Sequence, residues 1–284
     1  MPPGTYRGRL APSPTGYLHQ GHVQTFWLAQ ERARAHHGVL VLRDEDLDGS
    51  RARAEFATAM IEDLRWFGFD WQEGPDCGGA YGPYQQSQRL PGYRIVFEQL
   101  KAKGAIYPCS CTRKDVQQAL QAPHIGQEEP PYPGTCRPGR RGDGNLKPGG
   151  RINWRFQVPD GATVGFVDGH YRAQSFVAGK DFGDFVVWRS DGLPSYQLAV
   201  VVDDHEMAIT EVVRGADLLL STARQLLIYH ALGWEPPAFY HCPLVLDAQG
   251  NRLAKRHDAL SLRTLRQRGE SPENIRRSFP PTGS

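Results

Sequence analysis

Two histidines three positions apart, His19 and His22, follow the run Arg9-Leu-Ala-Pro-Ser-Pro-Thr-Gly16. Imidazoles beside a helix start suit phosphate chemistry. The free N–H groups of the first turn receive an anion, Gly21 lets backbone approach it, and ring N–H groups can hold an oxyanion on a five-coordinate phosphorus. A capping role or a metal pair are the plainer uses of His-x-x-His. A second set is Cys109-x-Cys111, followed after a Pro/Gly-rich stretch by Tyr132 and Cys136. Soft thiolates at such spacing fit a tetrahedral zinc ion, with a phenolate as fourth ligand. Three free or redox-active thiols would be the alternative, and His124 or a water could take the place of Tyr132. Arg9 and Arg214 are cations able to fork onto a carboxylate.

The elements that must position these groups alternate. Tyr6–Ala11 reads as extended until Pro12, Pro14 and Gly16 break it. From Gly21 a helical period through Val23, Phe26, Trp27 and Ala33, interrupted at Gln30, runs to Gly38, and Val39–Leu42 reads as a buried strand. Ser50 is expected to cap a second helix that buries Met60, Ile61, Leu64 and Phe67 and stops at Gly68; a third helix covers Pro91–Lys103. Strand, turn, helix, strand predicts a right-handed βαβ unit whose ligand sits at the carboxyl ends of the strands. Residues 122–150 turn to Pro, Gly, Arg and Asp and read as an insertion. Beyond it, strands are expected at Arg151–Val158, Val164–Val167, Phe185–Arg189, Leu193–Val202, Ile209–Val213 and Pro243–Leu246, with a helix at Asp217–Leu232. The expected fold class is α/β: a Rossmann-like parallel sheet with helices on both faces, an inserted zinc-binding segment and a short C-terminal helical part. The expected divisions are 1–108 and 151–240 for the halves of the catalytic domain, 109–150 for the insertion and 241–284 for the remainder.

Composition narrows the class. The 284 residues are 39% hydrophobic and 23% charged, outside the disordered range. The longest apolar run, Leu198–Val202, is far shorter than the roughly 20 residues of a spanning helix, and Met1–Leu10 lacks a signal core. Five cysteines, an odd number with three clustered, favour a reducing, cytoplasmic setting. The formal net charge of +2 leaves the partner open, although Arg137, Arg140, Arg141, Lys147 and Arg151 form a local basic run, and Arg263, Arg266, Arg268, Arg276 and Arg277 another.

The stretch from Arg9 through His22, Arg-x-Ala-Pro-Ser-Pro-Thr-Gly then His-x-Gly-His, resembles the opening signature of the glutamyl branch of class I aminoacyl-tRNA synthetases. Leu42–Asp48 is similar to that family's acidic strand end. Val200–His205 and Val212–Leu218 are similar to its later sheet, and Arg252–Arg256 to its mobile lysine loop. The likeness extends from about Tyr6 to His257. The loop departs from the family's Lys-(Met/Leu)-Ser-Lys-Ser at Arg252, Ala254 and Arg256.

The resemblance implies a chemistry. L-Glutamate would be activated by ATP, accompanied by Mg2+, as glutamyl-adenylate. His19 and His22 would hold phosphate oxygens and Lys255 would neutralise developing charge. Arg9, Arg214, Tyr196 and Ser13 would bind the amino acid, with Glu45 on its α-amino group. A plainer use of Glu45 is pairing with Arg43 or Arg51. Asp203 and Asp204 could equally order a loop. A catalytic half that stops after the lysine loop resembles the branch that esterifies glutamate onto the queuosine base of tRNA(Asp). In that branch Cys109, Cys111, Tyr132 and Cys136 would hold a structural Zn2+. The implied partners are L-glutamate, ATP and queuosine-bearing tRNA(Asp); the lack of a hydrophobic span leads us to expect no membrane, and the lack of an extra apolar face a monomer. Two competitors are a minimal enzyme charging the tRNA 3′ end and a catalytically silent zinc- and RNA-binding module.

Overall fold

A computed structural model describes residues 5–112, 131–139, 146, 149–244, 261–277 and 279. The chain forms two units: Met1–Arg89 with Glu206–Asp217 and Pro237–Ser284, and Leu90–His205 with Leu218–Pro236.

In the first unit, β1 (Arg7–Leu10) and β2 (Val39–Leu42) pair in parallel, and β8 (Glu211–Gly215) pairs in parallel with β9 (Ala238–Cys242). β1 runs beside β8: the Thr210 N–H donates to Arg7 O at 2.9 Å, and Arg9 Nη1 donates to Val213 O at 2.9 Å. Helix α1 (Gln20–Ala35) buries Val23, Ala29 and Ala33 as its period requires. The interruption at Gln30 is buried and satisfied, since its amide donates to Gly68 O at 3.2 Å and accepts from Asp70 N at 2.6 Å. Helix α2 (Ala54–Phe67) buries Met60, Leu64 and Phe67 and ends on Gly68, whose φ of 99° closes the last turn at no steric cost. Its cap is Arg53, not Ser50, because Asp48 spends its carboxylate on the hydroxyl of Ser50 and on Arg51, holding that segment in a turn. Further along the chain, α6 (Leu262–Gln267), capped by Ser261, and α7 (Pro272–Arg277) add Leu262 and Ile275 to this unit's core.

In the second unit, α3 (Leu90–Ala102) leads to an antiparallel sheet of β3 (Ile106–Cys109), β4 (Asn153–Phe156) and β7 (Phe185–Trp188). β5 (Thr163–Asp168) and β6 (Arg172–Val177) form an antiparallel hairpin. The expected parallel pairing is thus found between strands of the first unit, whereas the second unit's β3, β4 and β7, and β5 with β6, pair antiparallel. β6 escapes a periodicity reading because its residues are exposed or half-buried on both faces.

Two expected strands are wrong. Leu193–Val202 is not extended: α4 (Tyr196–Glu206) begins there, and Leu198 to Asp204 are all buried. A helix buried on every side shows a continuous apolar run rather than a helical stripe, and the branched valines bias the reading towards strand. The Asp191-Gly192 turn does form, with Arg189 N donating to Leu193 O at 2.8 Å, but pairing lasts only to a bridge between Trp188 and Pro194. The strand expected at Pro243–Leu246 lies earlier, as β9, with Pro243 already beyond its end; 245 and 246 lie outside the described residues. Asp217–Leu232 opens with a 3-10 turn at Ala216–Leu218 and continues as α5 (Leu219–Leu232).

Candidate active site and metal centre

The carboxyl ends of the parallel strands gather most of the expected substrate residues into the first unit. Arg9 sits one residue from the end of β1 and Arg214 one residue from the end of β8, and both are buried, at 4% exposure each. The β1–α1 loop lies against the residues after β2: Arg43 N donates to Leu10 O at 2.8 Å and Glu45 N to Pro12 O at 3.0 Å. Ser13 is exposed on that loop between the buried Pro12 and Pro14. Alternation along 43–45 places Arg43 and Glu45 on one side of the chain and Asp44 on the other. The fully buried Arg43 donates to Glu45 Oε1 at 3.0 Å, which is the pairing the sequence left open against an amine-binding role.

His19 is the N-cap residue of α1 and makes no side-chain capping bond, so the simple capping use of the pair is not made. The His19 and His22 ring centroids are 6.3 Å apart, His19 half-buried and His22 exposed and stacked on Phe26. No acidic residue occupies the first turn of α1, which leaves its partial positive charge unopposed from within the helix. Lys255, with Arg252, Ala254 and Arg256, lies outside the described residues. Tyr196 belongs to the second unit, at the start of α4 and 40% exposed. Asp203, in the same helix, is fully buried and accepts from the hydroxyl of Tyr93 in α3 at 2.8 Å, tying two helices together rather than ordering a loop.

The cysteine set assembles within the second unit. The Sγ atoms of Cys109, Cys111 and Cys136 all lie within 4.8 Å of one another, and Tyr132 Oη is 3.4 Å from Cys109 Sγ and 3.5 Å from Cys111 Sγ. A tetrahedral ion with bonds of about 2.3 Å to sulfur and 2.0 Å to oxygen places its ligands roughly 3.5–3.8 Å apart, close to the two Tyr132 Oη separations and to the 3.4 Å between Cys111 Sγ and Cys136 Sγ. Gly183 makes this possible: a Cβ there would stand 2.9 Å from both Tyr132 N and Tyr132 O. Burial, with hydrogen bonding to Cys136 and the neighbouring thiols, pushes the Cys111 thiol up to about 12. Burial and the surrounding thiols also raise the Tyr132 phenol. Burial works the same way on Cys136, but hydrogen bonds from Tyr132 and Cys111 outweigh it and hold that thiol below its usual range. Arg155 completes the cluster with Nε donating to Cys109 Sγ at 3.3 Å and its guanidinium 3.9 Å over the Tyr132 ring, a positive charge beside a group of potential anions. His124, the alternative ligand, lies outside the described residues.

The basic runs fare differently. Arg137 is buried and spent on Asp160, Asp184 and the Val158 carbonyl, so it is not a phosphate contact; Arg140, Arg141 and Lys147 lie outside the described residues. In the later run, Arg263 pairs with Glu62 and Asp63, and Arg276 with Glu273. No described helix is long and apolar enough to cross a membrane.

The sequence reading missed three buried polar features. Arg7 forks onto Glu73 at 2.8 and 3.1 Å, Asp44 is buried beside two other carboxylates, and His241 lies against Arg214. His241 carried a signal, a lone imidazole inside an apolar strand, but it fell just outside the span first read as that strand.

The family model for the catalytic domain of class I tRNA synthetases (E and Q) matches residues 5–282. The chain is 50% identical over 275 residues to a protein of Nitratidesulfovibrio vulgaris named glutamyl-Q tRNA(Asp) synthetase, covering 95% of this chain and 83% of that one. It is 48% identical over 276 residues to a protein of the same name from Symbiobacterium thermophilum, again spanning 83% of it. A solved glutamate-tRNA synthetase from Elizabethkingia anophelis superposes with a TM-score of 0.77 at 32% identity, covering 89% of this chain but only 53% of the solved one.

Proposed function

The chain belongs to the class I (E and Q) tRNA synthetase catalytic-domain family, and we propose that it is a ligase that activates L-glutamate with ATP and transfers it to the queuosine wobble base of tRNA(Asp). The observation that carries this reading is the 50% identity, over nearly the whole chain and most of the relative, to a protein named for that reaction. The buried arginines at the ends of β1 and β8 support it, since a small diacid needs cations held ready in a dry site.

In this reading a carboxylate oxygen of glutamate attacks the α-phosphorus of ATP, the bond to the bridging oxygen breaks, and pyrophosphate leaves with the electron pair. A hydroxyl of the acceptor base then attacks the acyl carbon, loses its proton, and AMP departs. The chain's part is to orient and to stabilise charge. Arg9 and Arg214 grip carboxylate, aided by Ser13. Arg43 fixes Glu45 by holding Oε1, so that the carboxylate is oriented for the α-ammonium. His19, His22 and the first turn of α1 receive phosphate oxygens, and Lys255 offsets charge on the leaving group. Mg2+ accompanying ATP supplies further charge neutralisation.

A zinc ion held by Cys109, Cys111, Cys136 and Tyr132 is structural in this scheme. It would tie β3 to the segment carrying Tyr132 and Cys136, and its binding free energy would add to folding free energy. The setting is the cytoplasm.

The test is acceptor comparison. Purified protein with ATP and labelled glutamate should label queuosine-bearing tRNA(Asp) and leave tRNA(Glu) unlabelled. Labelling of tRNA(Glu) alone would establish instead the minimal glutamyl-tRNA synthetase, the reading favoured by the superposition on the Elizabethkingia enzyme.

A further inference from the structure

We infer that His241 is a positioning residue for the amino-acid site: its neutral imidazole takes the Nε–H of Arg214 and thereby fixes which edge of the guanidinium can meet a carboxylate. The inference rests on the functional reading above for the identity of the ligand, and on the fold for everything else.

Arg214 and His241 are register partners across the parallel pair β8–β9, so their side chains leave the sheet side by side. Arg214 is 4% exposed and His241 has no exposure. Arg214 Nε lies 3.2 Å from His241 Nε2. The guanidinium has only donors, so this bond exists only when Nε2 carries a lone pair; the ring proton is then on Nδ1 and the imidazole is uncharged. A protonated ring would set two cations against each other out of reach of water. Phe239, two residues earlier on the same face of β9, stacks on His241 with the planes 19° apart, and the guanidinium carbon of Arg214 is 5.4 Å from its ring centre. The imidazole thus lies between the Phe239 ring and the Arg214 guanidinium in the sheet register.

The consequence is one of geometry. An arginine can fork a carboxylate with its Nη1–Nη2 edge or with its Nε–Nη2 edge. Occupying Nε with His241 removes the second option, so a carboxylate forked by Arg214 meets the end-on edge. One defined orientation of a bound carboxylate follows, which is what an in-line attack on phosphorus requires.

The test uses His241→Leu, which removes the acceptor while keeping the site apolar, and His241→Gln, whose side-chain oxygen can reach the Nε2 position. Both are assayed by glutamate-dependent exchange of pyrophosphate into ATP, by calorimetry of glutamate binding, and by thermal melting. A hydrogen bond to a charged group is worth enough to raise the glutamate KM and Kd of His241→Leu about 10-fold to 100-fold, with the KM for ATP unchanged and His241→Gln recovering most of the loss. Nitrogen NMR of the wild type should show the His241 proton on Nδ1. An unchanged glutamate Kd in His241→Leu, a parallel rise in both KM values with a lowered melting temperature, or a proton found on Nε2 would each overturn the inference. A wild type that exchanges nothing with glutamate would instead overturn the functional reading, and the ligand assignment with it.

Discussion

Asp44 should make the first unit lose stability as pH rises through neutrality. The side chain is 4% exposed at the end of β2, its Oδ1 has no hydrogen-bond partner among the described residues, and its backbone is pinned by Tyr84 O and Gln86 N. Burial first, then the charges of Asp46 and Glu45, push its carboxyl from 3.8 up to about 7. The sign follows from linkage: the folded chain holds the proton more tightly than the unfolded chain. The associated stability is full below pH about 4, erodes as pH rises, and is gone once pH passes about 7. At 1.36 kcal/mol per unit, the difference between 3.8 and about 7 amounts to about 4 kcal/mol at most, and local relaxation reduces this to about 2–4 kcal/mol. Asp44→Asn cannot ionise, so its stability should change less between pH 3 and 8 by that amount. The slope with pH is the readout, because the substituted amide adds an offset of its own at every pH. Urea unfolding across this range, with hydrogen exchange at the Leu42 amide that bonds Glu73 O as a local reporter, measures it. Parallel pH profiles for wild type and variant would refute the reasoning.

Arg9→Lys keeps the charge but loses the fork, and should raise the glutamate KM in pyrophosphate exchange about 10-fold to 100-fold with little change in that for ATP. Cys111→Ser should lower bound zinc well below one per chain by elemental analysis; chelation of the wild type should loosen β3 and the Tyr132 segment by hydrogen exchange while leaving β1 and β2 protected. Leu64→Ala, from a fully buried position in α2, should cost about 2–5 kcal/mol in urea unfolding. His22→Ala should lower kcat for exchange at least ~100-fold with the glutamate Kd preserved, if the imidazole acts on phosphate rather than on the amino acid.

What could be read from the sequence divides by how local its physics is. β1, α1, β2 and α2 were legible because each buries one face or one short run between Pro and Gly breakers, and those breakers lie where the chain turns. The helix at Tyr196–Glu206 was not: Leu198 to Asp204 are buried whatever their angular position, so no polar stripe marks the period. The cysteines were legible because thiols at short spacing are rare, whereas Arg155, their cationic neighbour, is brought to Cys109 and Tyr132 by the β3–β4 pairing alone. For the same reason the fork of Arg7 on Glu73 spans 66 positions and leaves no sequence trace.

The acidic strand end shows how one short run divides its work. Arg43, Asp44, Glu45 and Asp46 are consecutive, yet their surroundings give each a different use. Glu45 accepts from a fully buried guanidinium at one of its oxygens. Asp46 is tied to Ser87, accepting from its amide at 2.7 Å and from its hydroxyl. Asp44 has neither kind of partner at Oδ1 and is the member whose proton is retained towards neutrality. Three adjacent ionised carboxylates in a buried turn would repel one another, and protonating the unpartnered one removes that repulsion without weakening the carboxylate that Arg43 orients. The same logic makes the site asymmetric in pH. Loss of the Asp44 proton adds a buried negative charge beside Glu45, which opposes folding while strengthening the pull on a bound ammonium. Glutamate affinity and the stability of the ligand-free unit should therefore move in opposite directions as pH is raised through about 7.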